Sequence, residues 1–253
     1  MKTGSMQNKI ILVTGGATGI GKTTAQLLAA NGARLIVSDV NAQQGHETVD
    51  DIIAQGGLAE FMPCDVSNSK DVENLHEHII ETHSRLDGAF NNAGISGRLD
   101  LATIDYPEDL FDKVIAVNLK GVWLCMKAQI PQMLKQGQGA IVNMSSVAGL
   151  VGILNSAYTA SKHGVVGLTK AAALEHSKDN IRVNAVCPGY VETPTTAQAM
   201  ANDAIRSALI RRHPIGRLGE QDEIAEAVMW LLSDAASFVT GHAMPIDGGM
   251  TAQ

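Results

Sequence analysis

Apolar residues along the chain follow two alternating patterns. Short runs rich in valine and isoleucine, typical of buried parallel strands, are separated by longer segments in which apolar residues recur at helical spacing. This alternation indicates repeated strand-helix-strand units around a parallel sheet. The strands are predicted at Ile10–Val13, Arg34–Ser38, Ala59–Met62, Gly88–Phe90, Ala140–Met144, Arg182–Val186 and Ala243–Ile246.

The alternation continues over residues 1–253 with no linker or internal repeat, so one α/β domain is predicted. We expect a doubly wound sheet of about seven parallel strands with helices on both faces. Only Val191–Arg212 interrupts the alternation of strands and helices. This segment follows the carboxyl end of a strand, where substrate lids tend to lie. The helices are predicted at Gly21–Ala30, Ala42–Ala54, Lys70–His83, Pro107–Lys135, Ala157–His176 and Gln221–Leu232.

Composition and charge exclude several classes of protein. Hydrophobic residues make up 45% of the chain, and 19 Lys and Arg against 26 Asp and Glu give a net charge of −7. Without a basic run to follow a phosphate backbone, we expect no nucleic-acid partner. No apolar stretch approaches the ~20 residues that span a bilayer, and the first residues contain no apolar signal core. A cytoplasmic protein without membrane contact is expected.

The cysteines and histidines do not form the spacing of a metal site. Cys64, Cys125 and Cys187 are widely separated among apolar residues, which favours buried thiols over disulfides or a metal pair. The nearest other candidates, His76 and His78, are two residues apart and point to different faces of a helix. No metal is predicted.

A glycine-rich turn, Thr14–Gly21, joins the first strand to the first helix. Unpaired backbone N–H groups at such a helix start attract a pyrophosphate, as in Rossmann-type dinucleotide-binding folds. Gly15 permits the tight turn, Gly19 lets the backbone approach the phosphates, and Gly21 lets the helix pack closely. The alternative is a plain turn or helix cap, which also uses glycine.

Asp39 stands at the end of the second strand, where an acidic side chain would accept hydrogen bonds from an adenosine ribose. Its carboxylate would repel a 2′-phosphate, and no Arg or Lys lies beside it in the sequence to neutralise the charge. NAD is therefore predicted as the cofactor over NADP. Alternatively, Asp39 only caps the following helix.

Tyr158 and Lys162 lie four residues apart in a segment with helical spacing, so they share one helix face. A phenol with a pKa of ~10 is too little ionised at neutral pH to be an efficient general base. An ammonium about 4 Å away contributes ~4 kcal/mol at an effective dielectric of 20, nearly enough to bring the pKa to ~7. We expect this pair to do proton chemistry, although chance also produces such spacing.

Several motifs together resemble the short-chain dehydrogenase/reductase family in its single-domain form. Thr14–Gly21 resembles the family's TGxxxGxG turn, Asn91–Gly94 its NNAG element, and Tyr158–Lys162 its YxxxK pair. Asn118 resembles the catalytic asparagine, and Pro188–Thr193 the loop that holds the nicotinamide carboxamide. The resemblance covers essentially the whole chain and implies an NAD-dependent oxidoreductase.

The resemblance also implies a role for each site residue. Asp65 and Val66 would contact adenine, although Asp65 is also suited to capping a helix and Asn91 and Asn92 to a simple turn. The implied catalytic residues are Asn118, Ser146, Tyr158 and Lys162. The implied cofactor-binding residues are Gly15, Thr18, Gly19, Ile20, Gly21, Asp39, Asp65, Val66, Asn92, Ala93, Gly94, Tyr158, Lys162, Pro188, Gly189, Val191 and Thr193.

The catalytic serine is where the sequence departs from the family pattern. Counting from the strand that ends at Met144 places it on Ser146, whereas counting back from Tyr158 at the commonest separation places it on Ser145. A loop shortened by one residue in 150–156 explains the mismatch, so Ser146 is favoured.

The resemblance implies that Ser146 binds the substrate oxygen, Tyr158 exchanges the proton, Lys162 binds the nicotinamide ribose, and Asn118 holds a water. The expected pocket walls are mostly apolar and suggest a neutral secondary alcohol or ketone. A 3-oxoacyl reductase and a non-catalytic NAD(H) sensor are the alternatives. Family members are mostly homotetramers that pair through the two long helices and the last strand. The expected walls are Ile95, Ser96, Leu154, Tyr190 and Met200.

Overall fold

The computed structural model describes residues 6–193, 196 and 201–252. Its centre is one seven-stranded parallel sheet in the order β3-β2-β1-β4-β5-β6-β7, which confirms the predicted doubly wound α/β architecture. All seven predicted strands are present, with ends within two residues of the prediction. They are β1 (Ile10–Thr14), β2 (Arg34–Asp39), β3 (Leu58–Pro63), β4 (Gly88–Asn91), β5 (Gly139–Met144), β6 (Ile181–Pro188) and β7 (Ala243–Ile246).

The helices cover both faces of the sheet, because successive strand residues point to opposite sides. In β1, Ile11 and Val13 lie in one apolar cluster with α1, α2 and α8, whereas Ile10 and Leu12 lie in another with α3, α5 and α6. The helices are α1 (Gly19–Ala30), α2 (Ala42–Ala54), α3 (Ser69–His83), α4 (Glu108–Ile115), α5 (Gly121–Gln136), α6 (Ser156–His176), α7 (Asp203–Arg211) and α8 (Gln221–Leu232).

The long helix predicted at Pro107–Lys135 is interrupted in its middle. A π-helical turn at Ala116–Lys120 joins α4 to α5, and it contains the predicted catalytic residue Asn118. Such single-turn π segments within α-helices are frequent at functional sites, and the periodicity of the sequence did not reveal this one.

A buried network of polar side chains fixes β4 and β5 to the helices behind them. Asn91 exchanges hydrogen bonds with Gln129 of α5 and donates to Asn143 Oδ1 at 2.9 Å. Asn143 in turn donates to Thr169 Oγ1 of α6 at 3.0 Å. All four side chains are buried, and their mutual pairing offsets the cost of removing them from water.

The carboxyl ends of the strands lie at one edge of the sheet, where ligands bind in folds of this kind. The strand order reverses between β1 and β4, so the glycine-rich turn and the segment after Asn91 lie side by side. Within the described ranges, no helix is long and apolar enough to cross a membrane. In the predicted lid, Pro194 and Met200 lie outside the described residues.

Candidate active site

A cavity of about 400 Å³ opens at the carboxyl edge of the sheet. It lies within the size range of small-molecule sites. Most of the predicted site residues line it: Gly15, Thr18, Gly19, Ile20, Asp39, Asn92, Ala93, Gly94, Ser146, Tyr158, Lys162, Pro188, Gly189, Val191 and Thr193.

The glycine-rich turn packs so tightly that two of its positions exclude a side chain. Gly15 has a φ of +62°, and a Cβ there would lie 2.8 Å from the Cα of Ala93. A Cβ on Gly21 would lie 2.1 Å from the carbonyl oxygen of Gly15. Gly21 therefore serves the packing of α1 against the turn and is not part of the cavity wall.

Asn92 holds the turn from the neighbouring strand. Its Nδ2 donates to the carbonyl oxygens of Thr14 at 3.1 Å and Gly15 at 2.9 Å. Helix α1 starts directly after Thr18, whose side chain makes no capping hydrogen bond, and no acidic residue lies in the first turn. The first amides of α1 are therefore suited to an anionic group.

Asp39 lies half-buried at one end of the cavity. One carboxylate oxygen accepts a hydrogen bond from the N–H of Ala17 at 3.2 Å, and the other from the N–H of Asn41 at 3.0 Å. The N-cap of α2 is Asn41, whose side chain accepts from the N–H of Gln44. Asp39 is thus not the helix cap that the alternative interpretation required.

Tyr158 and Lys162 lie together in the first turns of α6. Tyr158 is half-buried in the cavity wall, and the Lys162 Nζ lies 5.5 Å from the centroid of its ring. The ammonium donates to the carbonyl oxygen of Met144, at the end of β5, at 2.8 Å. This bond fixes the lysine between the sheet and the tyrosine.

The pKa of Tyr158 differs from the value expected from the sequence. Burial raises the pKa of this phenol above its usual range, and a hydrogen bond with Ser146 only partly opposes that effect. Burial also lowers the pKa of Lys162 to about 8. The expectation that a nearby ammonium nearly suffices to lower the pKa of this phenol to ~7 is not met in this structure, because desolvation dominates.

The two candidate serines have different partners. Ser145 is buried, and its hydroxyl donates to the carbonyl oxygen of Lys162 at 2.9 Å, which ties β5 to α6. Ser146 accepts from the N–H of Ala148 at 3.1 Å and hydrogen-bonds Tyr158. Both serines line the cavity, and the interaction of Ser146 with Tyr158 favours Ser146 as the residue that faces a substrate oxygen.

Asn118 is fully buried and lies behind the cavity wall. Its side chain makes two hydrogen bonds with the backbone of Ile95. It accepts from the N–H at 2.8 Å and donates to the carbonyl oxygen at 2.8 Å. It also donates to Ser161 Oγ at 3.2 Å. The side chain therefore anchors the segment after β4 to α6 and has its polar atoms paired.

Asp65 and Val66 are also outside the cavity wall. Asp65 accepts hydrogen bonds from the N–H and hydroxyl of Ser67, which closes a turn, while the cap of α3 is Asn68. Val66 is buried in the apolar cluster under α5. In this structure both residues shape the loop after β3.

The loop after β6 is held by a histidine that sequence reasoning missed, His213, which follows α7. Tyr190 donates its N–H to Nε2 of His213 at 3.1 Å, and Nδ1 of His213 lies 2.8 Å from the carbonyl oxygen of Leu209. The buried imidazole thus links this loop to α7. Thr196 was also missed; it lines the cavity, and its hydroxyl lies 3.1 Å from that of Thr193.

Comparison with known proteins agrees with this geometry. A family model described as enoyl-(acyl carrier protein) reductase matches residues 15–251. The cyclohexanol dehydrogenase of Acinetobacter sp. (strain SE19) is 44% identical over 247 residues, 97% of this chain and 96% of the relative. The chain belongs to the short-chain dehydrogenase/reductase family. The resemblance inferred from the motifs is confirmed.

Other relatives of this short-chain dehydrogenase/reductase have related names. A 2,5-dichloro-2,5-cyclohexadiene-1,4-diol dehydrogenase of Sphingobium indicum (strain B90A) is 46% identical over 251 residues, 98% of each chain. The crystal structure of levodione reductase superposes with a TM-score of 0.93 at 39% identity, covering 97% of this chain and 98% of the other.

The family uses nicotinamide cofactors, and one structural relative was solved with the phosphorylated form. It is a proposed 2-deoxy-d-gluconate 3-dehydrogenase from Agrobacterium tumefaciens with bound NADP, which superposes with a TM-score of 0.90 at 35% identity over the full length of both chains. The choice between NAD and NADP in this short-chain dehydrogenase/reductase therefore rests on its own residues.

The remaining cavity wall of this short-chain dehydrogenase/reductase is mainly apolar. Four predicted wall residues, Ile95, Ser96, Leu154 and Tyr190, line the cavity, whereas Met200 is outside the described residues. Four further wall residues were not predicted, because they lie at strand ends or in loops that contain no recognisable motif. They are Leu99, Met144, Val147 and Ile153. The described ranges contain no group of three His, Cys, Asp or Glu placed to hold a metal ion.

Proposed function

We propose that this protein uses NAD(H) to interconvert a neutral, alicyclic secondary alcohol and the corresponding ketone, with Tyr158 as general acid/base. The observation that carries the proposal is the cavity that joins Asp39 and the glycine-rich turn at one end to Ser146, Tyr158 and Lys162 at the other. The names of the relatives, a cyclohexanol dehydrogenase and a cyclohexadiene-diol dehydrogenase, support the alicyclic substrate.

The described residues fit a dinucleotide. The open amides at the start of α1 suit the pyrophosphate, and the Asp39 carboxylate suits a ribose diol. Asn92–Gly94, Pro188, Gly189, Val191 and Thr193 would line the remainder of its site. When bound, NAD would supply the acceptor for the hydride of the alcohol carbon, chemistry that belongs to the nicotinamide.

The chain's own residues position the substrate oxygen and carry its proton. Ser146 and Tyr158 are hydrogen-bonded to each other, so both hydroxyls can reach one substrate oxygen. Because burial raises the pKa of Tyr158, the phenol holds its proton at neutral pH and is ready to donate it to a ketone. Donation leaves a phenolate, which the adjacent Lys162 ammonium stabilises; in the oxidation direction this phenolate takes the proton of the alcohol hydroxyl.

The apolar wall sets the expected substrate range. A ring without further polar groups would bury its surface against Leu99, Val147, Ile153 and Leu154, whereas each extra hydroxyl without a partner costs about 1–3 kcal/mol. In a panel of secondary alcohols, cyclic diols and sugars followed by NAD reduction, we expect kcat/KM for cyclohexanol to exceed that for sugars at least tenfold.

Two results would contradict the proposal when 3-oxoacyl thioesters and a calorimetric titration of NAD are added to this panel. Turnover of acyl thioesters with no turnover of alicyclic alcohols or ketones would favour a 3-oxoacyl reductase. NAD binding by calorimetry without turnover of any substrate in the panel would favour a non-catalytic NAD(H) sensor.

The serine assignment is tested by two neighbouring variants. Ser146→Ala is expected to lower kcat about 100-fold, because it removes a hydroxyl aimed at the developing charge on the substrate oxygen. Ser145→Ala is the matched control; it removes a hydrogen bond to the backbone of Lys162 and is expected to leave kcat within about tenfold. Loss of turnover in Ser145→Ala alone would overturn the assignment.

We further propose a cytoplasmic homotetramer formed by one domain per chain. The three cysteines are buried and unpaired, which suits a reducing compartment. Exposed apolar side chains on the two long helices, Trp123 on α5 and Leu174 on α6, support pairing through these helices.

A further inference from the structure

Leu154, in the loop before α6, has an unusual backbone conformation. Its φ is +67°, in the left-handed region that costs conformational energy for a residue with a bulky side chain. Among the described residues, the other non-glycine positions with positive φ are Asn8, Ser84 and Asn180, all small and polar. A bulky apolar residue in this conformation persists only where its surroundings enforce it.

The residues on both sides of Leu154 enforce this conformation. The hydroxyl of Thr159 donates to the carbonyl oxygen of Ile153, and the side chain of Asn155 accepts from the N–H of Tyr158 at 2.7 Å. Nδ2 of Asn155 also donates to the carbonyl oxygen of Ser96 at 3.1 Å. Asn155 is buried, so the turn is fixed to α6 and to the segment after β4.

This arrangement places the Leu154 side chain in the cavity wall, four residues before Tyr158 in the chain. Leu154 as a whole residue remains 39% exposed, and it lines the cavity together with Ile153 and Ser96. A residue suited to the left-handed region, such as glycine or asparagine, would satisfy the backbone more easily. Leucine at this position is therefore better explained by what its side chain contacts.

We propose that Leu154 is a specificity-determining residue, which covers the substrate ring with an apolar surface and selects unsubstituted alicyclic alcohols over those with a second hydroxyl. This inference rests on the proposed function. It assigns to Leu154 a preference for apolar over hydroxylated substrates, which the proposed function ascribes to the cavity wall as a whole.

The test compares KM and kcat for cyclohexanol and trans-1,4-cyclohexanediol at saturating NAD. Leu154→Ala is expected to raise KM for cyclohexanol about tenfold, because apolar contact is lost, with kcat within about threefold. Leu154→Asn keeps a similar size, tolerates the left-handed backbone and adds polar atoms. It is expected to shift the ratio of kcat/KM values at least about tenfold towards the diol.

Leu58→Ala is the matched control. Leu58 is 52% exposed at the start of β3, at the opposite edge of the sheet from the cavity, so both kinetic constants should be unchanged. The melting temperature tests separately whether the surroundings enforce the positive φ at Leu154. Leu154→Gly is expected to melt a few degrees above Leu154→Ala, the reverse of the usual order, because glycine adopts a positive φ without strain.

The outcomes separate the role of Leu154 from the proposed function. Wild-type protein that turns over no alicyclic alcohol or ketone overturns both. Wild-type turnover of cyclohexanol, with an unchanged KM in Leu154→Ala and an unchanged ratio in Leu154→Asn, overturns the role of Leu154 alone.

Discussion

Replacing Tyr158 with phenylalanine is expected to lower kcat about 1,000-fold while leaving NAD affinity within about twofold of wild type. The substitution keeps the ring in the cavity wall but removes the hydroxyl that we propose carries the proton. A positioned general acid/base contributes about 10²- to 10⁴-fold to the rate. Steady-state kinetics with cyclohexanol and calorimetric titration of NAD together measure the two effects.

Tyr106→Phe is the matched control for this prediction. Tyr106 accepts a hydrogen bond from the N–H of Arg98 at 3.3 Å, outside the cavity wall, so its replacement should leave kcat within about twofold. If Tyr158→Phe retained more than about a tenth of wild-type turnover, the proton would have to travel through another group.

Changing the charge at one end of the cavity is expected to reverse cofactor preference. Asp39→Asn removes the carboxylate but keeps an oxygen that can accept from the N–H of Ala17 or Asn41. We expect the ratio of kcat/KM for NAD over that for NADP to fall about 10- to 100-fold, because charge-assisted hydrogen bonds to the ribose are lost and the 2′-phosphate is no longer repelled. Adding Val40→Arg, at the exposed position next in the chain, should bring the total change to about 1,000-fold.

Asp50→Asn is the control for net charge, since Asp50 is an exposed carboxylate on α2. Its NAD-to-NADP ratio should equal that of wild type. A wild-type enzyme that already prefers NADP, or an Asp39→Asn variant with an unchanged ratio, would show that Asp39 serves only the turn around Ala17.

The sequence predicted the sheet well because its signals are local. Each parallel strand is buried on both faces and therefore appears as a continuous apolar run, and the glycine-rich turn needs conformations and close contacts that only glycine allows. The predicted strands put Gly15 after β1 and Asp39 at the end of β2. The predicted helix put Tyr158 and Lys162 in the first turns of α6, as in the structure.

Features that depend on contacts between distant segments were not predictable in the same way. The side chain of Asn118 pairs with Ile95, and His213 accepts from Tyr190, both 23 residues apart. The pKa of Tyr158 was predicted in the wrong direction, because it depends mainly on burial by residues from distant parts of the chain. Helical spacing carries neither kind of information.

The buried amide network has a consequence for how the substrate range of this protein can change. Side-chain hydrogen bonds attach the carboxyl ends of β4 and β5, just before Asn92 and Ser145, to α5 and α6. The residues that form them are Asn91, Gln129, Asn143 and Thr169. Apolar residues of the cavity wall, such as Leu99 and Leu154, take no part in this hydrogen-bond network. Apolar residues of the cavity wall can therefore be exchanged to admit new substrates while the ends of β4 and β5 keep their positions.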